Sequence, residues 1–179
     1  MATLQEKYLS KFDFASPHSI LINAPVDKIY PIVRDLKFKN PALAYWLMKL
    51  RSMSPPTHFS IQHLKDSRFV VLEEIPDKEI IIGLIGQPWT LSGNLQIFQP
   101  QDFIKFNDPA HVKASWSFEL TPISSSKTEL RTETRIACPT PKIKRRFGAY
   151  WFFIKPFSGL IRKAMLRAIK SELERSNVS

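Results

Sequence analysis

Apolar residues near the end of the chain recur with the spacing of an α-helix. At 100° per residue they lie along one stripe, with basic residues on the far side. The stripe consists of Ile143, Phe147, Tyr150, Ile154, Phe157, Ile161, Ala164, Met165 and Ala168. This pattern predicts one long helix after Thr140, roughly 50 Å in length at about 1.5 Å per residue. Such a helix needs an equally long apolar surface to cover its stripe.

The middle of the chain shows the two-residue alternation of β-strands. Apolar side chains occupy alternate positions from Val112 to Leu120, and apolar residues and threonines do so from Leu130 to Ile136. The expected strands cover residues 18–24, 58–64, 68–75, 79–85, 90–98, 103–106, 111–120 and 128–137. Turn residues leave only short connections between most of them, and short connections favour hairpins and an antiparallel sheet.

Two short helices are expected after the first strand. Pro25 opens the first one, because proline is favoured at the first position of a helix. Its apolar residues follow the i, i+3, i+4, i+7 spacing and are Val26, Ile29, Tyr30 and Val33. The second helix is expected over residues 40–53. The chain is therefore predicted to be an α+β protein, with an N-terminal extension over residues 1–15 and a single domain over residues 16–175.

The last two long strands carry charged residues at the positions between their apolar ones. These residues include Glu129, Arg131, Glu133 and Arg135. An antiparallel sheet commonly has one face on the core and one face in water. We therefore expect the charged face to be exposed to solvent and to form cross-strand ion pairs.

The net charge of +10 is concentrated at the C-terminal end of the chain. Residues 139–179 contain 10 Lys and Arg against 2 Asp and Glu, a net charge of +8. Such a segment could meet phosphates, anionic lipid or an acidic protein, although a solvated helix face is the simplest explanation. Nucleic-acid binding is not expected, because no motif for reading a nucleic acid accompanies the basic residues.

Attachment to a membrane surface is a more specific alternative for the basic residues. Phe152 and Leu166 lie on the basic side of the predicted helix, and a helix that mixes apolar and basic side chains in this way is typical of the membrane interface. The basic residues concerned are Lys155, Lys163, Arg167 and Lys170.

The order of the predicted elements resembles the helix-grip fold of the START/polyketide cyclase superfamily, also called SRPBCC. The local sequences that carry the resemblance are His18–Pro25, Gly83–Trp89, Thr132–Ile136 and Tyr150–Arg162. The last three of them are similar to those of an uncharacterised bacterial branch of that superfamily. The resemblance covers residues 16–175 and implies a curved antiparallel sheet that wraps around the long C-terminal helix. It is a poor guide to activity, because the superfamily hosts carriers, cyclases, hydrolases and chaperone activators.

The resemblance also implies a cavity between the concave sheet and the helix. A cavity of this kind would bind a small hydrophobic molecule, such as a lipid or a polyketide-like aromatic compound. Its expected lining residues are Trp89, Trp116, Phe118, Thr132, Thr134, Ile136, Tyr150, Ile154, Phe157 and Ile161. The alternative is that these side chains fill one another's space and form an ordinary core.

Catalytic signals in the sequence are weak. The four histidines are scattered without metal-ligand spacing, so neither a metal nor another cofactor is expected. Strand parity places Glu73 with Phe69, Val71 and Ile75, and a carboxyl group facing an apolar cavity would have a raised pKa and could act as an acid. A solvated turn carboxylate is the simpler explanation. The leading hypothesis is therefore non-catalytic ligand binding, ahead of a cyclase- or hydrolase-type enzyme.

The compartment is predicted from cysteine usage and hydropathy. Cys138 is the single cysteine, so no disulfide framework exists and a reducing cytoplasm is expected. Residues 1–14 mix charged and apolar side chains, unlike the apolar core of a signal peptide. No apolar run approaches the ~18 residues of a membrane span.

Overall fold

The structure is a computed structural model and describes residues 2–34 and 68–176. The helices are α1 (Leu4–Leu9), α2 (Val26–Arg34) and α3 (Pro141–Ser176), and the strands are β1 (Phe14–Ile22), β2 (Val70–Ile75), β3 (Glu79–Gly86), β4 (Val112–Ser124) and β5 (Lys127–Ala137). The predicted helix over residues 40–53 and the predicted strand over 58–64 lie outside the described residues.

The described strands form one antiparallel sheet in the order β1-β5-β4-β3-β2. β5 is central to its topology because it pairs along its length with both β1 and β4. The even-numbered residues of these three strands lie on one face, the inner face, against α2 and α3. The odd-numbered residues form the outer face. The predicted α+β class, with an antiparallel sheet against a long C-terminal helix, is confirmed.

Two predicted strands, over residues 90–98 and 103–106, are wrong. These residues form turns and irregular segments, with a 3-10 turn at Pro100–Asp102. Gly93 and Asn94 have positive φ angles of 68° and 39°, a backbone conformation that interrupts a strand. The segment instead folds back over the outer face, where Phe98 and Phe103 pack against Ile81 and Ile85.

The buried face of α3 differs from the predicted stripe along its second half. Its buried residues are Ile143, Phe147, Trp151, Ile154, Ser158, Met165, Leu166, Ile169 and Leu173. Leu166, which was expected on the basic side, is therefore in the core, while Phe157, Ala164 and Ala168 are exposed. A stripe drawn at a fixed 100° per residue misses this change, because the helix packs against a twisted sheet and an adjacent helix.

The outer face is not open to solvent as predicted, because α1 covers much of it. Glu133 and Arg135 are nearly fully buried. The side-chain amide of Gln5 donates to the carbonyl oxygen of Glu133 at 2.9 Å, and the hydroxyl of Ser115 donates to the Gln5 side-chain oxygen at 2.6 Å. The sequence interpretation missed this cover because α1 has only six residues, too short to show a clear period.

Ion pairs neutralise the buried charges on the outer face. The Arg135 guanidinium contacts Glu133 at 2.9 Å and Glu6 at 2.6 Å, and it also lies over the ring of Phe12 at 4.6 Å. The carboxylate of Glu79 is buried and accepts the backbone N–H of Leu4 at 2.9 and 3.0 Å. Burial raises the pKa of Glu79, although the hydrogen bond from Leu4 opposes the shift. α1 is thus held by both polar and apolar contacts.

The raised pKa of Glu79 leads to a test by Glu79→Gln. Between the unfolded and folded pKa values of Glu79, the folded state holds more protons, so the wild-type free energy of unfolding falls as pH rises through this window. Glutamine keeps an acceptor for Leu4 but does not titrate. We expect the variant's stability relative to wild type to increase from pH 4 to pH 8, as measured by urea unfolding. A difference that stays constant with pH would contradict the burial effect.

Candidate functional site

The inner face has two apolar clusters with polar side chains between them. One cluster includes Phe118, Leu130 and Met165, and the other includes Phe147 and Trp151. Between them lies a set of residues that we call the inner polar band. It comprises Ser16 and His18 of β1, Trp116 of β4, Thr132 and Thr134 of β5, and Ser158 and Arg162 of α3.

The strand register brings the sheet members of the band together. Thr134 lies opposite Ser16 on one side and Trp116 on the other. His18 lies opposite Thr132, one pleat further along the same face. Because successive side chains of a strand alternate between faces, all five project towards α3.

α3 closes over the band at a glycine. A Cβ atom added to Gly159 would lie 3.4 Å from Nε2 of His18, so the imidazole packs directly against the helix backbone there. One turn later, the guanidinium of Arg162 lies over the ring of Trp116 at 5.2 Å, a cation–π contact. The band therefore includes a cation held beside an aromatic ring.

One part of the band is internally hydrogen-bonded. The hydroxyl of Thr132 donates to the carbonyl oxygen of Ser117 at 2.9 Å and accepts from the indole N–H of Trp116 at 2.8 Å. This side chain is completely buried. Both hydrogen-bonding roles of its hydroxyl are used, so Thr132 has a structural function in fixing the Trp116 ring.

Another part of the band lacks hydrogen-bond partners. The hydroxyl oxygen of Thr134 is shielded from solvent and has no partner among the residues that the structure describes. The Nδ1 atom of His18 is also shielded from solvent, and the His18 side chain hydrogen-bonds the backbone of Ser16. Buried polar atoms are nearly always paired, because desolvating one without a hydrogen bond costs about 1–3 kcal/mol. The Thr134 hydroxyl could therefore form a hydrogen bond with a bound molecule, and the imidazole of His18 lies next to it on the same face.

The electrostatics of the band keep His18 neutral. Burial lowers the pKa of His18 and the positive charge of Arg162 lowers it further, whereas a hydrogen bond with the Ser16 backbone opposes the shift. A neutral imidazole has one donor and one acceptor nitrogen. His18 can therefore hydrogen-bond a polar group without bringing a second positive charge beside Arg162.

Most of the predicted lining residues lie on or beside the inner face. The predicted residues of β4 and β5 alternate on this face as expected, and they are Trp116, Phe118, Thr132, Thr134 and Ile136. On α3, Ile154 is buried. At the end where α3 begins, Trp89 and Tyr150 pack their rings around Phe147 at 6.3 and 5.7 Å. Ile161 is half-buried. Their role in ligand binding stays a prediction.

Phe157 is the predicted lining residue that the structure places elsewhere. Its side chain is 51% exposed, since it lies one residue before the buried Ser158 and points away from the sheet. The sequence interpretation also missed Ser16, His18, Ser158 and Arg162. The alternation of β1 contained a signal for the first two, because Ser16 and His18 share the parity of Phe14, Ile20 and Ile22.

Glu73 faces the outer side of the sheet together with Ile75. Its predicted position beside Phe69 and Val71 is wrong, because those two residues pack on the inner side. The β2–β3 register shifts between Val71 and Glu73, and such a bulge reverses the parity of the residues that follow it. The Glu73 carboxylate accepts hydrogen bonds from Lys7 and Tyr8 of α1. The bond from Lys7, followed by that from Tyr8, lowers the pKa of Glu73.

Neither Cys138 nor a metal cluster adds chemistry to this site. Burial is the main cause that raises the pKa of the Cys138 thiol to about 12, and a thiol with such a pKa is a poor nucleophile. Over residues 2–34 and 68–176, no three His, Cys, Asp or Glu side chains are grouped as metal ligands would be. In the same two segments, no helix has the length and apolarity to cross a bilayer.

Comparisons with known proteins identify similar solved structures. No family model and no curated protein sequence matches the chain. The di-domain ARO/CYC protein BexL is 18% identical, with a TM-score of 0.36, and the match covers 90% of this chain and 47% of BexL. The chain thus spans about half of BexL. The Streptomyces aromatase/cyclase ZhuI is 14% identical, with a TM-score of 0.35 and coverage of 90% and 94%.

A hypothetical protein of Helicobacter pylori is also similar, at 8% identity and a TM-score of 0.44, with coverage of 93% of this chain and 92% of that one. The likeness at these identities concerns the fold. The antiparallel sheet and the long C-terminal helix described above are the elements that the predicted resemblance to the START/polyketide cyclase superfamily implies.

Thr132 and Thr134 of β5 provide a matched test of the inner polar band. We expect Thr134→Val to stabilise the ligand-free protein by about 1 kcal/mol, because it removes a buried hydroxyl without a partner. Thr132→Val should destabilise it by about 1–3 kcal/mol, because it breaks two hydrogen bonds. Urea unfolding of ligand-free protein measures both. Equal losses of stability in the two variants would contradict this difference between the hydroxyls.

Proposed function

We propose that the protein binds a small hydrophobic molecule between the inner face of the sheet and α3, without catalysing a reaction. The observation that carries this proposal is the inner polar band, with its partnerless Thr134 hydroxyl beside His18. A site lined mainly by apolar side chains, with a few polar groups that fix orientation, is the usual form of a small-molecule site.

The arrangement of the band suggests how such a molecule would lie. Its apolar body would contact Trp116, Ile154 and the adjoining clusters, and its polar end would reach Thr134 and His18. Arg162, held over the Trp116 ring, would favour a polar end with negative or partly negative charge. A lipid or a polyketide-like aromatic compound with a carboxylate or phenol group has this chemistry.

Native mass spectrometry of the freshly purified protein, followed by denaturing extraction, tests the proposal. We expect a co-purifying hydrophobic compound, with lower occupancy in Thr134→Val because a hydrogen bond to the ligand is lost. Thr121→Val is the matched control, since Thr121 is exposed on the same sheet and its variant should keep wild-type occupancy. A protein that carries no compound, and takes up neither fatty acids nor aromatic polyketides when they are added, would contradict the proposal.

A cyclase- or hydrolase-type activity is not favoured by the geometry. Glu73 is on the outer face and hydrogen-bonded to Lys7 and Tyr8, and the inner polar band contains no carboxylate among its described members. Among the described members of the band, His18 is the residue that could act as an acid or base. We further place the protein in the cytoplasm, because a lone cysteine fits a reducing compartment.

We also propose that the basic side of α3 attaches the protein to an anionic membrane surface. Lys155, Lys163 and Arg167 are exposed, whereas Lys170 is half-buried and lies 3.7 Å from Glu174. The observation in favour of attachment is that the sequence has no acidic residue from 136 to 171. Before the last turns of α3, therefore, no carboxylate of the helix itself neutralises its basic residues. Binding to anionic vesicles should weaken as salt increases, and an absence of binding at low salt would contradict attachment.

A further inference from the structure

We propose that four apolar side chains on the exposed side of α3 insert into the interface of an anionic bilayer. This inference rests on the membrane attachment proposed above and names the residues that would enter the lipid. The residues are Phe152, Phe153, Phe157 and Leu160, which we call the insertion patch. Their exposed fractions are 76, 69, 51 and 61%.

The insertion patch is continuous along the helix. At 100° per residue its four members fall within an arc of about 140°, over roughly 12 Å of helix length. The rings of Phe152 and Phe153 contact edge to face, with centroids 5.5 Å apart. Exposed apolar residues scattered singly are ordinary, but a contiguous group usually marks an interaction site.

The opposite side of the same helical turns is fixed in the core. Trp151, Ile154 and Ser158 are buried against the sheet, so α3 cannot rotate to hide the insertion patch without losing those contacts. The middle of α3 is therefore apolar on both sides, although only one side packs against the described protein. A helix of this kind needs a second apolar environment.

Basic residues border the insertion patch at both ends. Lys142, Arg145 and Arg146 precede it on the same arc, and Lys163 and Arg167 follow it, all of them exposed. At about 1.5 Å per residue, this basic–apolar–basic stripe is roughly 38 Å long. Lys144, which lies off the arc, pairs with Asp13 at 2.8 Å.

This arrangement favours an anionic bilayer over other partners. The stripe is a protruding helix surface, with side chains that can sink between headgroups while flanking cations contact lipid phosphates and carboxylates. A second copy of the chain would bring like charges together at both ends of an antiparallel contact. Binding to a bilayer combines insertion of apolar side chains with attraction to headgroups. Both need only residues that are already present on one face of α3.

Vesicle flotation with Phe152→Ser/Phe153→Ser measures the contribution of the insertion patch. The probe is vesicles of 70% phosphatidylcholine and 30% phosphatidylserine, at 20 and 150 mM salt. We expect the double variant to bind at least tenfold more weakly than wild type at both salt concentrations, because it loses apolar contacts and no charge. Leu91→Ser/Ile97→Ser removes two apolar side chains, 85 and 83% exposed, from the segment between β3 and β4 and should bind like wild type.

A charge variant separates insertion from electrostatic attraction. Lys163→Gln/Arg167→Gln should weaken binding mainly at 20 mM salt and reduce its salt dependence. If wild type fails to bind at 20 mM salt, attachment itself is contradicted. If wild type and Phe152→Ser/Phe153→Ser bind equally well, attachment is purely electrostatic and the insertion patch has no such role.

A depth measurement provides the second readout. Brominated lipids should quench the fluorescence of the tryptophan introduced by Phe153→Trp, in addition to any quenching of the native tryptophans. The tryptophan introduced by Leu91→Trp should not be quenched. Light scattering without lipid tests for self-association. A stable dimer that Phe152→Ser/Phe153→Ser dissociates would overturn the inference, because the patch would then be an interface between copies. Unchanged thermal unfolding of these surface variants would show that the fold is intact.

Discussion

The pairing of β5 with both β1 and β4 is the constraint on which the rest of the structure depends. It places Ser16, Trp116 and Thr134 side by side on the inner face, and the same alternation puts Glu133 and Arg135 on the outer face. A slip of one residue would exchange the two faces. The polar atoms of the inner band and the ion pairs beneath α1 therefore share one structural cause.

The two faces of the sheet are buried in chemically different ways. The outer face carries charged side chains, and α1 provides partners for two of them. Glu6 pairs with Arg135, and the backbone N–H of Leu4 donates to Glu79. The inner face is largely apolar, yet the shielded hydroxyl of Thr134 has no partner among the described residues. Because an unpaired buried atom is costly, the inner face is the side on which the proposed ligand would bind.

α3 takes part in both proposed functions, ligand binding and membrane attachment. Arg162 and Gly159 border the inner polar band, while Phe157 and Leu160 are exposed on the other side of the same turns. A molecule bound within the band would thus lie one helix diameter from the membrane interface. A protein that exchanges a hydrophobic molecule with a bilayer would benefit from this proximity, since the molecule would cross little water.

The sequence by itself determined the α+β class, the antiparallel hairpins and the long terminal helix, because these depend on local periodicity and turn residues. It also located most of the inner-face residues of β4 and β5 by parity. Only the tertiary structure decided the side on which Glu73 lies, because a bulge changes parity without a clear sequence signal. The same holds for the cover formed by α1 and for the exposure of Phe157, since each depends on how distant segments pack. Local pattern fixes which elements form, whereas contacts between elements decide which of their faces remain available for binding.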